Sequence, residues 1–186
     1  IRPESWDKPF EAPEHVCSSY DNCHVPWGST HEKTWHLVKT LPHVSGLFVW
    51  TGFDYLGEPT PYWWPSRSSF FGIVDLAGFP KDVYYMYKSE WTDEPVLHIF
   101  PHWNWKVGEP VDIWAYYNNA DEVELYLNGK SLGVQQKTDS TYHVSWRVPF
   151  TPGTLRAVSR LGGKEVLVKE IHTAGEPARL VLTPDR

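Results

Sequence analysis

Residues 46–91 read GLFVWTGFDYLGEPTPYWWPSRSSFFGIVDLAGFPKDVYYMYKSEW, and this stretch decides how the rest of the chain is interpreted. It begins with Leu47–Trp50, an apolar run without alternation, which is typical of a parallel strand buried on both faces. An acidic and aromatic loop follows, and Pro80 then opens a predicted helix that ends near Trp91. Buried strand, loop and helix in this order favour a unit of a (β/α) barrel.

A helix is also predicted directly before this stretch. Ser29 and Glu32 have the spacing of a capping box, in which the two side chains cap each other's backbone amides. Apolar residues follow at three-residue spacing from Trp35, and Pro42 ends the helix. Residues 1–28, which precede it, show little periodicity and predict a long loop.

After Thr92–Pro95 the apolar residues change from helical spacing to strict alternation, which is the pattern of half-buried strands. Asn128-Gly129 and Gly162-Gly163 predict tight hairpin turns, because these residues tolerate a positive φ. About six or seven short antiparallel strands fit between residues 95 and 174, and this number favours an all-β immunoglobulin-like sandwich. It lacks the cysteine pair of antibody domains. Residues 175–186 read as a linker and the start of a further domain.

The composition excludes some classes of protein. Aromatic residues make up 16% of the chain, including 11 Trp, and carbohydrate-active proteins use Trp as a stacking surface. Large β-sandwich cores also consume Trp, so this count alone leaves both interpretations open. The formal net charge of −6 leaves no basic stripe for phosphates and argues against a nucleic-acid partner. An apolar run of roughly 18 residues is absent, so no membrane span is predicted.

Three motifs carry a resemblance to a known family. Val49–Pro59 reads VWTGFDYLGEP, Phe71–Asp75 reads FGIVD, and Gly78–Asp82 reads GFPKD. Together they resemble the end of the catalytic barrel of glycoside hydrolase family 2, and most closely its bacterial β-galactosidase-like branch. Val123–Gly133, which reads VELYLNGKSLG, resembles a hairpin of the immunoglobulin-like domain that follows the barrel in that branch.

The resemblance covers nearly the whole chain and implies a multidomain fragment of a longer polypeptide. Residues 1–94 are expected to form the C-terminal end of a (β/α)8 TIM barrel, and residues 95–174 the immunoglobulin-like β-sandwich. Residues 175–186 are expected to be the linker and the start of a further domain.

The implied activity is retaining hydrolysis of β-linked, preferentially β-galactosidic, bonds by double displacement through two glutamates. In the family both glutamates belong to barrel strands before the last one, so both are expected upstream of Ile1. No catalytic residue, metal or cofactor is therefore predicted within the chain, and the chain alone is expected to be inactive. The expected partners are a carbohydrate substrate and the rest of the same polypeptide. The alternative is a non-catalytic carbohydrate-binding or structural β-sandwich module.

Three residues are predicted to bind the substrate. Trp50 is expected to be a stacking platform, because the C-terminal ends of barrel strands face the active site. Asp54 and Glu58, on the following loop, are expected to accept hydrogen bonds from sugar hydroxyls. The alternatives are a core position for Trp50, ordinary ion pairs or caps for the two carboxylates, and a catalytic pair formed by Asp54 and Glu58.

Arg67 bears on the choice of sugar. It lies where the β-glucuronidase branch of the family carries an Asn-and-Lys motif for the substrate carboxylate, and that motif is absent here. A neutral sugar is therefore favoured over a uronic acid. A structural ion pair is the favoured role of Arg67.

Cys17 and Cys23 could form a disulfide in an oxidising compartment, or they could remain thiols. A zinc site formed with His15 and His24 is a less favoured alternative, because zinc ligands usually have tighter cysteine spacing. A disulfide together with a polysaccharide-type substrate favours a periplasmic or secreted location in a bacterium.

Two further groups of side chains lie in or near the predicted sandwich. Trp103, Trp105 and Trp114 could form a sugar-binding face, although a packed interface with the barrel is favoured because the linker is short. His98 and His102 are expected to be solvated.

Overall fold

The computed structural model of the chain describes residues 8–9, 18–60 and 62–184. This part is rich in β-sheet and contains two helices, neither of which is long and apolar enough to cross a membrane. The helices are α1 (His31–Thr40) and α2 (Asp82–Trp91). The strands are β1 (Lys8–Pro9), β2 (Cys23–His24), β3 (Leu97–Phe100), β4 (Pro110–Tyr117), β5 (Glu122–Leu127), β6 (Lys130–Gln135), β7 (His143–Pro149), β8 (Thr154–Leu161) and β9 (Lys164–His172).

Seven of these strands form a β-sandwich of two antiparallel sheets. One sheet has the order β3-β4-β7 and the other the order β6-β5-β8-β9. Their facing side chains form one apolar cluster, the sandwich core, in which Ile113, Leu125 and Leu155 are fully buried. The predicted alternation along β4 is confirmed, because Val111, Ile113, Ala115 and Tyr117 all belong to this core.

Both predicted hairpin turns are confirmed. Asn128 and Gly129 have φ angles of 51° and 81° and connect β5 to β6. Gly162 and Gly163 have φ angles of 55° and 76° and connect β8 to β9. Positive φ at both central residues is the geometry that matches the twist of paired strands, which explains why Asn and Gly occupy these positions.

The outer face of the three-stranded sheet is covered by the two helices. A second apolar cluster, the helix-side core, fills this layer, and its centre is aromatic. Its buried members are Met86, Tyr87, Phe100, Trp114, Tyr116 and Tyr142. Because Phe100, Trp114 and Tyr116 come from β3 and β4, this sheet has apolar packing on both of its faces.

The predicted strand at Leu47–Trp50 is wrong for this structure. These residues belong to neither a helix nor a strand, and the side chain of Phe48 is fully exposed. A strand buried on both faces needs a neighbouring strand on each side, and no described residue pairs with residues 47–50 in a sheet. The α2 prediction is confirmed, although the N-cap is Lys81, so Pro80 precedes the helix instead of opening its first turn.

The predicted capping box at the start of α1 is also wrong. The N-cap residue is Thr30, not Ser29, and it makes no side-chain cap hydrogen bond. Instead the two carboxylate oxygens of Asp21 accept hydrogen bonds from the backbone amides of His31 and Glu32, at 2.9 and 2.6 Å. The helix is therefore capped from a preceding loop, which a local motif does not reveal.

Candidate functional site

The segment that follows Val49, here called the Trp50 loop (residues 50–80), is held by pairing between its two halves. The amide of Thr51 donates to Phe71 O, and the amide of Ile73 donates back to Thr51 O. Further along, the amide of Asp54 donates to Val74 O at 2.9 Å. These bonds align residues 51–57 with residues 67–74, so the side chains of the first half have a defined frame.

Gly72 is required by the close approach of these two halves. A Cβ atom at this position would lie 2.2 Å from the backbone nitrogen of Asp54 and 2.3 Å from the carbonyl carbon of Phe53. Backbone atoms cannot move aside for a side chain, so only glycine fits. The glycine in the FGIVD motif is thus explained by packing of the loop on itself.

Asp54 lies at the centre of this frame and is largely buried, with a side chain that is 10% exposed. Its Oδ1 accepts hydrogen bonds from the amide of Gly72 and from the ammonium of Lys81, both at 2.8 Å. Lys81 also donates to Phe70 O at 2.8 Å. The ion pair fastens the Trp50 loop to the residue that precedes α2, and it corresponds to the structural alternative considered for Asp54.

Trp50 points away from the protein interior, with 74% of its surface exposed. Its neighbour Val49 and the paired Ile73 pack against the helix-side core, so the backbone is anchored while the indole faces outward. The ring of Tyr55 meets Trp50 edge-on, with centroids 6.1 Å apart. Trp50 therefore belongs to neither of the two apolar cores formed by the described residues.

Glu58 is tied to the same aromatic pair. The hydroxyl of Tyr55 donates to Glu58 Oε2. This hydrogen bond raises the pKa of Tyr55, while a hydrogen bond with Trp50 acts in the opposite direction. Trp50, Tyr55 and Glu58 therefore form one exposed polar and aromatic cluster. Asp54 does not belong to it, because its Oδ1 is used by Gly72 and Lys81.

Further apolar side chains of the Trp50 loop are exposed alongside Trp50. Exposed apolar surface of this extent marks a site where a protein meets another molecule or another part of itself. Arg67 lies over the ring of Trp64, with 4.5 Å from its guanidinium carbon to the ring centroid, instead of in the expected ion pair. The exposed apolar residues of the Trp50 loop besides Trp50 are Phe53, Leu56, Trp63, Trp64, Leu76 and Phe79.

The roles of Tyr55 and Lys81 in the loop were not predicted from the sequence. Tyr55 connects Trp50 to Glu58, and Lys81 neutralises Asp54. The spacing of Tyr55 and Glu58, three residues apart on a turn, was a signal that could have identified the first contact. Nothing local indicates the second contact, because Lys81 lies 27 positions from Asp54.

The tryptophans near the sandwich have different environments. Trp103 belongs to the sandwich core and donates from Nε1 to Thr151 O at 3.0 Å. Trp114 belongs to the helix-side core. Trp105 is exposed and stacks on the imidazole of His102, with centroids 4.8 Å apart. The three residues therefore do not form a common face.

The two histidines near β3 also differ from each other. The Nε2 atom of His98 lies 2.7 Å from Asp82 Oδ1, and its ring stacks on Tyr85 with centroids 3.8 Å apart. The expectation that His98 is solvated is therefore wrong. His102 is exposed, as expected.

The metal and disulfide predictions concern residues both inside and outside the described ranges. Within residues 8–9, 18–60 and 62–184, no group of three or more His, Cys, Asp or Glu residues could hold a metal ion. Cys17 and His15 lie outside the described residues, so the disulfide with Cys23 and the zinc alternative both concern residues of which the structure says nothing.

Comparison with known proteins gives a consistent result. Residues 108–167 match a family described as a domain of unknown function, DUF4982. The whole chain is 63% identical to the β-galactosidase BoGH2A of Bacteroides ovatus and covers 22% of it. A putative β-glucuronidase of Formosa agariphila is 40% identical over 97% of the chain, which covers 18% of that protein. The chain thus spans about a fifth of the length of these curated relatives.

A solved structure supports the same relationship. The glycosyl hydrolase family 2 member from Bacteroides cellulosilyticus superposes with a TM-score of 0.71 at 31% identity. The match covers 83% of this chain and 25% of that protein. Similarity in sequence therefore extends over the whole chain, and similarity in structure over 83% of it.

Proposed function

Since this chain belongs to glycoside hydrolase family 2, we propose that it is part of a retaining glycosidase that cleaves β-linked, preferentially β-galactosidic, bonds. In this proposal residues 1–94 form the C-terminal end of a (β/α)8 barrel, residues 95–174 form an immunoglobulin-like sandwich, and residues 175–186 lead into a further domain. The family relationship and the two-sheet sandwich support this division.

The two glutamates of the double displacement are proposed to lie outside this chain, in another part of the longer polypeptide. A retaining enzyme holds its carboxyl groups about 5 Å apart on opposite sides of the bond, one protonated and one ionised. Asp54 is paired with Lys81, and Glu58 accepts a hydrogen bond from Tyr55, so neither has the setting of a free nucleophile or acid. The relatives, about five times longer than this chain, have ample length for both glutamates.

The exposed indole of Trp50 is the observation that carries the proposal. A sugar presents an apolar C–H face, and an anchored aromatic ring is the surface that such a face packs against. The Glu58 carboxylate, linked to Trp50 through Tyr55, is proposed to accept hydrogen bonds from sugar hydroxyls. Asp54 contributes through the frame that it holds around Trp50, with its remaining carboxylate oxygen as a further proposed acceptor.

A neutral sugar is preferred in this proposal. The guanidinium of Arg67 is engaged with the face of Trp64, so it is not directed at a substrate carboxylate. The relative named as a β-galactosidase is 63% identical to the chain, whereas the relative named as a putative β-glucuronidase is 40% identical. Both observations favour a galactoside over a glucuronide.

The proposal is tested by replacing Trp50 in the longest natural polypeptide that contains this chain. Trp50→Ala is expected to lower kcat/KM for an aryl β-galactoside at least about tenfold, because the loss of one stacking contact costs about that much. Trp27→Ala is the matched control, since Trp27 is also exposed but lies outside the Trp50 loop. An unchanged rate for Trp50→Ala removes this residue from the substrate site.

The same assay with an aryl β-glucuronide tests the preferred sugar. The unaltered enzyme is expected to turn over the galactoside faster than the glucuronide, and the reverse order contradicts the preference for a neutral sugar.

A non-catalytic carbohydrate-binding module is the second candidate function. The exposed aromatic surface of the Trp50 loop favours it, because this surface needs no catalytic pair in order to bind sugar. An activity assay of the 186-residue chain alone distinguishes a catalytic role from a role in binding only. It is expected to show no turnover, and measurable hydrolysis by the chain alone contradicts the placement of both glutamates outside it.

A further inference from the structure

A cleft separates the beginning of α1 from the outer face of the three-stranded sheet. Its volume is about 390 Å³, which lies within the usual range of small-molecule sites. Its lining includes Asp21, Asn22, Glu32, Lys33, Trp114, Ser140 and His143. They come from the loop before α1, from α1 itself and from the sandwich, and none belongs to the Trp50 loop. We call this site the α1 cleft.

The carboxamide of Asn22 is the first sign that the α1 cleft holds a ligand. This residue is only 4% exposed, and its Oδ1 accepts a hydrogen bond from Ser18 Oγ at 3.0 Å. Its Nδ2 has no hydrogen-bond partner among the described residues. A buried amide without a hydrogen-bond partner costs free energy. An unpaired donor in the lining of a cleft therefore indicates that an oxygen of a bound molecule accepts its hydrogen bond.

The opposite wall is a flat, fixed ring. His143 stacks on the indole of Trp114, with ring centroids 3.6 Å apart and planes within 5° of parallel. Its Nδ1 lies 2.7 Å from Glu32 Oε1, which holds the imidazole in one orientation. A rigid ring backed by an aromatic side chain is a surface that suits the C–H face of a small cyclic ligand.

The charged residues that line the α1 cleft are Asp21 and Glu32, which are acidic, and Lys33, which is basic. Both oxygens of Asp21 hold the amides at the start of α1, and Glu32 is paired with His143. With two carboxylates against the single charge of Lys33, the lining favours a neutral ligand over an anion. What the cleft offers a ligand is a set of amide and hydroxyl groups, from Asn22 and Ser140, beside a flat ring.

From these features we propose that the α1 cleft binds a neutral monosaccharide. The sugar ring packs against His143, and its hydroxyl oxygens accept from Asn22 Nδ2 and exchange hydrogen bonds with Ser140. This site uses no residue of the Trp50 loop, and the inference does not rest on the hydrolytic function proposed above. Because its walls come from both α1 and the sandwich, a bound sugar also stabilises their contact.

The proposal is tested by titrating the isotopically labelled 186-residue chain with galactose, and separately with glucuronate, while the imidazole signals are followed by NMR. Saturable shifts of His143 are expected with galactose and weaker ones with glucuronate. A parallel thermal melt is expected to show a higher Tm with galactose. No saturable shift with galactose, or stronger binding of glucuronate, overturns the proposal.

Three variants locate the sugar. Asn22→Leu and Ser140→Ala are each expected to weaken galactose binding about five- to tenfold, which is the usual effect of losing one hydrogen bond. Gln136→Ala, an exposed amide away from the cleft, is the matched control and is expected to leave binding unchanged. Ser140 is itself exposed, so Ser140→Ala decides the matter if Asn22→Leu fails to fold.

Galactose could instead bind to the Trp50 loop, and the variants distinguish the two sites. Loss of the galactose shifts in Trp50→Ala, with binding retained in both Asn22→Leu and Ser140→Ala, places the sugar on the Trp50 loop and overturns the α1 cleft as its site.

Discussion

At the scale of single residues, the Trp50 loop shows how an exposed indole is held in place. Val49 and Ile73 anchor the backbone in the helix-side core, Asp54 pairs with Lys81, and Gly72 allows the two halves of the loop to meet. Each residue acts on the orientation of Trp50 through the backbone of the loop. A change in any of them should therefore act through the order of the loop.

Gly72→Ala tests this dependence. The added Cβ collides with backbone atoms at 2.2 Å, so the two halves must separate, at a cost of about 1–3 kcal/mol. Hydrogen exchange of the Asp54 and Val74 amides, which bridge the halves, is expected to accelerate about tenfold or more. Gly52→Ala is the matched control, because a Cβ at Gly52 meets nothing within 4 Å. Equal exchange in the two variants contradicts the role assigned to Gly72.

At the scale of elements, α1 begins where a distant carboxylate caps it. The sequence motif pointed to Ser29, whereas the structure uses Asp21, ten residues before His31. The carboxylate supplies both a hydrogen-bond acceptor and a negative charge at the positive end of the helix. The loop before α1 therefore contributes to the stability of this helix.

Asp21→Ala is expected to lower the free energy of unfolding by about 0.5–2 kcal/mol, the usual cost of losing an N-cap. Chemical denaturation followed by circular dichroism measures this change. Ser29→Ala, at the position that the sequence motif favoured, is the control and should change stability by less than about 0.5 kcal/mol. A larger loss for Ser29→Ala than for Asp21→Ala reverses the assignment of the cap.

The strands were predictable and the Trp50 loop was not, for a physical reason. Alternation along β4 and the turn at Asn128-Gly129 are local properties, set by neighbouring residues and by backbone φ. The loop depends on contacts between residues that are far apart in sequence, such as Asp54 with Lys81. The burial of Trp103 and Trp114 in separate cores likewise depends on which sheet face each residue occupies.

At the scale of the whole molecule, Glu90 fastens three parts together. It lies on α2, accepts hydrogen bonds from Trp35 and Lys39 of α1 at 3.0 and 2.8 Å, and lies 3.4 Å from the ammonium of Lys137 beside the sandwich. Burial acts to raise the pKa of Glu90, but these hydrogen bonds and the Lys137 charge outweigh it, so its pKa is lowered. The ionised carboxylate is thus the form that the fold stabilises.

A pH dependence of stability follows from the lowered pKa of Glu90. Its contribution is fully present above the ordinary value of 4.5 and is lost as the pH falls through the lower value of the folded state. Glu90→Gln is expected to cost about 1.5–3 kcal/mol at neutral pH, since the side chain is only 7% exposed. The difference in the free energy of unfolding between Glu90→Gln and the unaltered chain should become smaller as the pH falls below about 4.5.

Denaturation measured across this pH range checks the prediction. Glu94→Gln is the control, because Glu94 pairs with Lys88 at the surface and its loss should cause no measurable change. A difference for Glu90→Gln that stays constant down to acid pH contradicts the ionic role of this carboxylate.

Because the three-stranded sheet is covered on both faces, the sandwich cannot be transferred between proteins as an isolated domain. A gene rearrangement that transplanted residues 95–174 alone would leave Phe100, Trp114 and Tyr116 facing water, because α2 and the loop before α1 supply their cover. A protein with so many bare rings would precipitate. A rearranged gene must therefore encode α1, α2 and the loop before α1 together with the sheet that they cover.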